Sequence, residues 1–551
     1  MRLTDTSDLW WKTAVIYCLD VETYMDWNGD GCGDLEGLAH RLDYLADLGV
    51  TCLWLMPFYP SPDRDDGYDI TDYYGVDERL GHHGDLVEVI RTANDRGMRV
   101  IADLVVNHTS DQHPWFLQSR SSRDNPYRDY YVWADEPPAD QPEPVFPDQE
   151  QSLWEFDKKT KQYYLHNFYK HQPDLNVANP RVREEVAKVI GFWMQLGLSG
   201  FRVDAVPFFV EQPGLEGPHD YLRSLRAYIG RRSGEGVLLG EVNLPYEDQV
   251  KYFGGLDADD ELTMQFDFVG MQQIYLSLAR GDATPLATAL TERPVLPEVA
   301  QWANFLRNHD ELTLDKLSEE ERAEVFDVFA PEERMRVYDR GIVRRLPTML
   351  DGDPRRIRMA YSLLFSLPGT PVLFYGEELG MGENLDIPGR LSVRSPMHWT
   401  SGPNGGFSQA DAKDLIAPVP EGGFAPAHVN ASQQRHDPNS MLRFFRQLIE
   451  VYRNSPEIGW GRPTVVAQPN PAVLAHEVEG DEGRLVLLHN FTAEATTVPL
   501  GLEGIEPGTV LTSLLEPDEF TWPESGSLEV QLDGYGYRWL RVLRPGDQRL
   551  T

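Results

Sequence analysis

The chain has 551 residues, 41% hydrophobic and 25% charged, a globular composition too long for one ordinary core. Lys plus Arg number 50 against 88 Asp plus Glu, and the resulting net charge of −38 argues against nucleic acid or an anionic membrane surface as partner. Three cysteines (Cys18, Cys32, Cys52) make no disulfide framework, no run approaches the length of a membrane span, and Met1–Trp11 carries Asp5 and Asp8 in place of a signal-peptide core, so a cytoplasmic protein is expected.

Strand-like and helix-like segments alternate along the chain. Ala14–Leu19 reads as a strand, and Leu35, Leu38, Leu42, Leu45 and Leu48 give a helical period closed by Gly49. A buried strand over Cys52–Phe58, a helix over Leu86–Asn94 and a strand over Arg99–Val106 follow. After about 70 residues rich in Pro, Asp and aromatics comes an amphipathic helix, Arg181–Leu196. Further strands are expected over Gly200–Val206, Val237–Val242, Leu262–Phe268, Trp302–Arg307 and Pro371–Tyr375. Eight strands with helices among them predict an α/β fold, a (β/α)8 TIM barrel with a small domain inserted after strand 3. After the helix Met441–Tyr452, short alternating strands (Val473–Val478, Arg484–Asn490, Thr496–Leu500, Tyr537–Leu543) predict a C-terminal antiparallel β domain. The expected divisions are barrel over 1–108 and 179–455, inserted domain B over 109–178, a second insertion near 312–356, and a β-sandwich over 456–551.

Four strand ends carry polar groups: Asp103–His108, Gly200–Asp204, Leu239–Asn243 and Leu306–Asp310. Barrel active sites sit at that rim. Arg202 and Asp204, two apart on a strand, point to one face, and the guanidinium favours an ionised carboxylate suited to nucleophilic attack. Glu241 follows an apolar strand, where burial and neighbouring acids raise a carboxyl pKa, as a general acid requires. With Asp310 as a third acid, the set describes double-displacement glycoside chemistry. A structural ion pair in a barrel core is the plain alternative for Arg202 and Asp204, and metal-dependent hydrolysis with His108 and His309 as ligands is the chemical one. No tight His spacing supports the latter.

These segments closely resemble the conserved regions of glycoside hydrolase family 13, the α-amylase family, in the right order and together with Gln172–Asn176. The resemblance implies Asp204 as nucleophile, Glu241 as acid/base and Asp310 as the acid that holds and distorts the sugar. It implies Arg202 orienting the nucleophile, and His108 and His309 bonding the glucose. Asp66–Asp69 looks like the segment whose Tyr (Tyr68) stacks on that glucose and whose acid (Asp69) closes the pocket with Arg394 of Arg394–Trp399. Such closure typifies exo-acting members working on short α-glucosides.

Asp26–Asp34 has oxygen donors at alternate positions around a Gly turn, the pattern of a hard-cation loop, although position 37 is Gly where a full EF-hand loop has Glu. A plain Asx-rich turn is the alternative. The resemblance places structural calcium here through Asp26, Asn28, Asp30, the Cys32 carbonyl and Asp34. In trehalose synthase-like members a second calcium would use Asn107, Asp174, Glu211 and the carbonyls of Phe208 and Phe209.

The likeness is closest to those trehalose synthase-like members, and it implies intramolecular transglucosylation of maltose to trehalose with side hydrolysis and no organic cofactor. Departures stand at Tyr17–Asp20, at Gly240–Asn243 and at Arg390–Trp399, where His398 occupies a usual Gln position. They neighbour the acceptor side, so an exo-acting α-glucosidase or transglucosidase on another short α-glucoside is the alternative. A non-catalytic amylase-like protein would need a membrane segment and lost acids. The expected partner is a small α-glucoside such as maltose or trehalose, and homo-oligomerisation is left open.

Overall fold

Eight short parallel strands close on themselves in the computed structural model, which describes residues 9–212, 217–258, 260–481 and 483–543. Met1–Asp8 and residues 544–551, which belong to the expected first barrel segment and C-terminal domain, lie outside the described residues. The barrel strands are β1 (Ile16–Leu19), β2 (Cys52–Leu55), β3 (Arg99–Leu104), β4 (Gly200–Val203), β5 (Val237–Gly240), β6 (Met264–Phe266), β7 (Gln301–Asn304) and β8 (Thr370–Phe374). Each pairs in parallel with its chain neighbour, and β8 returns to β1. Seven of the eight are buried along their whole length, which suits strands covered by the barrel interior on one face and helices on the other.

Local sequence sets the helices between them. Leu35–Leu48 is capped by Asp34, whose side chain accepts from the Gly37 amide. It ends at Gly49, whose φ of 98° only glycine adopts cheaply. Pro180–Leu196 begins under the Asn179 cap. Most expected strands run one to three residues past the observed C-terminal ends: pairing stops at polar Asp204, Glu241 and Asp267 after β4, β5 and β6, but at apolar Met56, Val105 and Phe305 after β2, β3 and β7.

The segment after β3 folds as a three-stranded antiparallel sheet (Trp133–Ala134, Trp154–Asp157, Gln162–Leu165). Beyond β7, a second excursion forms a small sheet from Leu312–Thr313, Arg336–Val337 and Gly341–Ile342, with the helix Glu319–Phe329 between. Both reach over the C-terminal rim. The C-terminal domain is a six-stranded and a two-stranded sheet around a core that includes Val486, Leu488, Val498, Trp522 and Val530. It docks on the barrel through buried His489 and Trp539, both bonded to Ser362 at 3.0 Å, and through His476, 3.0 Å from the Ser366 carbonyl.

Candidate active site

Neighbouring strands deliver a cation and its carboxylates to one point of the rim. Arg202 in β4 stands in register with Asp103 in β3, while Asp204 and Glu241 are the first residues after β4 and β5. The Arg202 side chain is 1% exposed, so its partners are held without competition from water. Its Nη1 donates to Asp103 Oδ1 and to Asp204 Oδ1, each at 2.6 Å, and its Nη2 donates to Glu241 Oε2 at 2.7 Å. Ala205 then turns left-handed, φ 48°, and its amide donates to Glu241 Oε2 at 3.1 Å. Asp103 also accepts from Trp54 Nε1 at 2.6 Å and from the Tyr68 hydroxyl at 3.3 Å. The sequence reading gave Asp103 no role, although its strand register with Arg202 marks the same interior face.

Asp310 anchors the other side. Its carboxylate meets His309 Nε2 at 3.0 Å, Arg390 Nη1 at 2.8 Å and Arg394 Nη2 at 3.1 Å. The Tyr68 hydroxyl lies 2.8 Å from His309 Nε2, and the two rings stack at 5.4 Å. Arg394 does not meet Asp69, and that expected closure is corrected. Asp69 is fully buried and turned into the protein, where Ser61 Oγ donates to it at 2.8 Å and Arg64 Nε stands at 3.4 Å. Arg394 pairs with Asp66, and Arg390 pairs with Asp65. The physical reason is a tight turn: Asp66 and Gly67 both have positive φ, 51° and 85°, and the chain reverses between Asp66 and Asp69.

A cavity of about 460 Å³ opens on this rim, lined by Asp204, Glu241, Asp310, Tyr68, His108, Asp65 and Arg390. Pro207, Phe208, Phe268, Phe168 and Leu244 supply its apolar wall. Both excursions roof it. Arg340 Nη2 donates to the Val145 carbonyl at 2.7 Å, and Phe146 packs on Tyr169 at 4.6 Å and on Tyr338 at 4.9 Å.

Burial raises Asp204 to about 6, with Arg202 pulling it down and Asp103 and Asp310 pushing it up. The nucleophile candidate is thus less acidic than Arg202 alone predicts, yet ionised at neutral pH. Burial raises Glu241 also, against Arg202 and with Asp204 and Asp310. Burial works against the charge of Asp310, but the bond to His309 and the two arginines outweigh it and hold it well below the carboxylate range. Burial pushes His108 down to about 4, so its ring is neutral, and its Nε2 lies 3.2 Å from the Tyr68 carbonyl. A fixed anion beside a raised carboxyl is the pairing that glycoside cleavage uses.

Residues 19–327 and 342–461 match the family described as alpha amylase, catalytic domain. The chain belongs to the α-amylase family. Residues 483–541 match the sucrose hydrolase-like C-terminal domain. A trehalose synthase of Pimelobacter sp. (strain R48) is 40% identical to this family member over 97% of its chain and 96% of the relative's own length. A trehalose synthase/amylase of Mycobacterium tuberculosis is 40% identical over 97% of this chain and 90% of its own. The solved trehalulose synthase from Pseudomonas mesoacidophila MX-45 superposes with a TM-score of 0.77 at 27% identity, over 97% of this chain and 99% of that one.

In this family member the loop Asp26–Asp34 is held by its own amides. Asp26 accepts from Gly29 and Gly31 at 2.6 and 2.8 Å, Asp34 from Trp27 and Gly37 at 2.9 and 2.6 Å, Asn28 from Asp30 and Asp30 from Cys32, each at 2.9 Å. Asp26 Oδ2 accepts also from Ser408 Oγ and Asp34 Oδ2 from the Asn28 amide at 3.2 Å, but the other oxygen of each and the Asp30 carboxylate keep a further lone pair, so the donors suit a hard cation in kind. Among the described residues, the acids that converge within 4.8 Å are Asp20, Glu22 and Asp66, not the loop's, so binding would draw the loop carboxylates together. At the second position, Asn107 Oδ1 is buried without a donor, and burial raises Asp174 to about 8, features a cation would satisfy. The Glu211 carboxylate accepts from the Tyr252 hydroxyl at 2.7 Å. Phe208 and Phe209 lie in the short helix Val206–Val210 just before it.

Proposed function

We propose that this chain is a retaining α-glucosyl enzyme that isomerises maltose to trehalose inside a closed pocket, with hydrolysis as a side reaction. The observation that carries the reading is one buried guanidinium bonded to both Asp204 and Glu241 under an apolar roof. Glu241 gives its proton to the glycosidic oxygen while an Asp204 oxygen attacks C1, so the C1–O bond breaks as the glucosyl ester forms. The freed glucose turns, its anomeric hydroxyl attacks C1, Glu241 takes the hydroxyl proton, and the Asp204 ester breaks. Water entering at that step yields two glucose molecules, so the apolar wall and roof favour transfer by keeping water out.

The names of the relatives at 40% identity, trehalose synthase and trehalose synthase/amylase, support the isomerase reading. An oligo-1,6-glucosidase of Bacillus cereus, 29% identical over 88% of this chain, stands for the alternative, hydrolysis of another short α-glucoside. Calcium bound by the Asp26–Asp34 loop belongs to the proposal as a structural ion that takes no part in bond cleavage, and Asn107 with Asp174 forms the core of a second site. Cytoplasmic residence also belongs to it, supported by three buried free thiols, and no helix among the described residues is long and apolar enough to cross a membrane. Incubation with maltose alone tests the function: trehalose with minor glucose is expected, and glucose as the sole product overturns the isomerase reading.

A further inference from the structure

Arg394 reaches Asp310 from a stretch of backbone that no sheet or long helix holds. It follows the short turn Gly389–Val393, with φ −99° and ψ 49°. The carbonyls on either side of it find their donors in two side chains instead. Arg345 Nε and Nη2 both donate to the Val393 carbonyl, at 2.9 and 2.7 Å, and Arg345 Nη1 donates to the Tyr375 carbonyl at 2.7 Å. The Tyr375 hydroxyl donates to the Ser395 carbonyl at 2.7 Å. Arg394 itself donates through Nε to the His309 carbonyl at 2.8 Å and through Nη2 to Asp310 at 3.1 Å.

A guanidinium is costly to bury in that place. Arg345 is 1% exposed, and the acids nearest it have other partners. Glu377 accepts from the Phe374 amide and the Tyr361 hydroxyl, and Glu378 from the hydroxyls of Tyr17 and Tyr44. A buried cation without a bonded carboxylate is tolerated only where its hydrogen bonds are met. The planar fork of an arginine meets two carbonyls at once, and the rings of Phe374 and Tyr375 flank it at 4.7 and 5.0 Å. Arg345 stands where the second excursion rejoins the barrel. Its amide donates to Glu383 Oε2 at 2.9 Å, and Ser392 Oγ donates to the nearby Val343 carbonyl at 2.8 Å. The base of the cavity roof and the arginine loop are thus fastened together.

We propose that Arg345 and Tyr375 are positioning residues, which hold the backbone on both sides of Arg394 so that its guanidinium meets Asp310. Neither lines the cavity, and both act through Arg394. The inference rests on the proposed double displacement, in which Asp310 holds the sugar being cleaved.

The test compares wild-type protein with Arg345→Met, Arg345→Lys, Tyr375→Phe and Arg394→Met on 4-nitrophenyl α-glucoside, each with its melting temperature. A smaller folded fraction lowers the apparent kcat alone, whereas a displaced Arg394 loosens Asp310 and raises KM too. In Arg345→Met, KM is expected to rise about fivefold and kcat/KM to fall about 10- to 100-fold, the scale of a displacement of about 1 Å. Tyr375→Phe moves both the same way by less. Arg345→Lys keeps the charge but not the fork, so its KM stays raised. Added to Arg394→Met, Arg345→Met costs less than about twofold further. An unchanged KM in variants that melt as the wild type does, a wild-type KM in Arg345→Lys, or the full loss on top of Arg394→Met would overturn the proposal. If Arg345→Met does not fold, Arg345→Lys and Tyr375→Phe carry the same comparison. Failure of the double-displacement reading shows separately, as β-glucose released first by the wild type, and leaves the KM comparison intact.

Discussion

Arg202 donates to Glu241 at 2.7 Å across the barrel rim, with its side chain almost wholly buried. The same guanidinium holds Asp204 through its other nitrogen, so the two acids titrate as a linked pair. Activity requires Asp204 ionised and Glu241 protonated. The rate should rise with pH through about 6, where Asp204 loses its proton, and fall where the raised Glu241 loses its own. Replacing Arg202 with Met removes the charge that opposes burial at Asp204, so the acid limb of kcat/KM moves to higher pH. The pH–rate profile of the variant checks this, and an unmoved acid limb contradicts it.

Glu241→Gln and Asp204→Asn separate the two roles by leaving group. Loss of the proton donor lowers kcat/KM for maltose by about 10²- to 10⁴-fold but spares kcat/KM for an aryl glucoside whose leaving group needs little protonation, while breakdown of the glucosyl ester, which needs Glu241 as base, slows kcat on both. Loss of the nucleophile abolishes turnover of both. Steady-state kinetics on the two substrates gives the answer.

Asp66 and Asp69 should behave differently on substitution. Asp66→Asn strips Arg394 of a buried partner, at a cost of about 3 kcal/mol in stability, and raises KM because Arg394 also holds Asp310. Asp69→Asn weakens the fold around Ser61 and Arg64 without that change in KM. Paired melting and kinetic measurements distinguish them.

The barrel and C-terminal domain meet at two histidines that burial keeps neutral, His476 at about 4 and His489 well below its ordinary value. Their folded pKa lies under the unfolded one, so the stability they carry is present above about pH 6.5 and drains as pH falls. His476→Gln should flatten the fall in melting temperature between pH 6.5 and 4.5, a window in which this histidine alone accounts for roughly 2 kcal/mol.

A chelator should lower the melting temperature if calcium occupies the Asp26–Asp34 loop. Asp30→Ala, which removes a donor that also accepts the Cys32 amide, should make the protein insensitive to added calcium.

The barrel was legible because buried parallel strands are largely apolar runs: six of the eight stand within an expected segment such as Cys52–Phe58 or Val237–Val242, and the other two, Gln301–Asn304 and Thr370–Phe374, begin one residue before theirs. The acids at their ends were legible for the same reason: a strand fixes where its last residue points. Loops gave no such period. Asp66 and Asp69 read alike in sequence, and the left-handed turn at Asp66–Gly67 decides which one meets Arg394. Arg390 stood in a segment marked only by its departures, and its pairing with Asp65 and Asp310 joins three distant parts of the chain. In the C-terminal domain, Arg462–Val465, Val510–Ser513, Glu519–Thr521 and Leu528–Leu532 went unread, being short strands of mixed polarity with one partly exposed face.

If Asp204 attacks C1 and Glu241 protonates the leaving oxygen, two inversions leave the anomeric configuration unchanged. Proton NMR of the first glucose released from 4-nitrophenyl α-glucoside, read before mutarotation, tests it most directly. The α-anomer is predicted, and β-glucose appearing first would contradict the assignment.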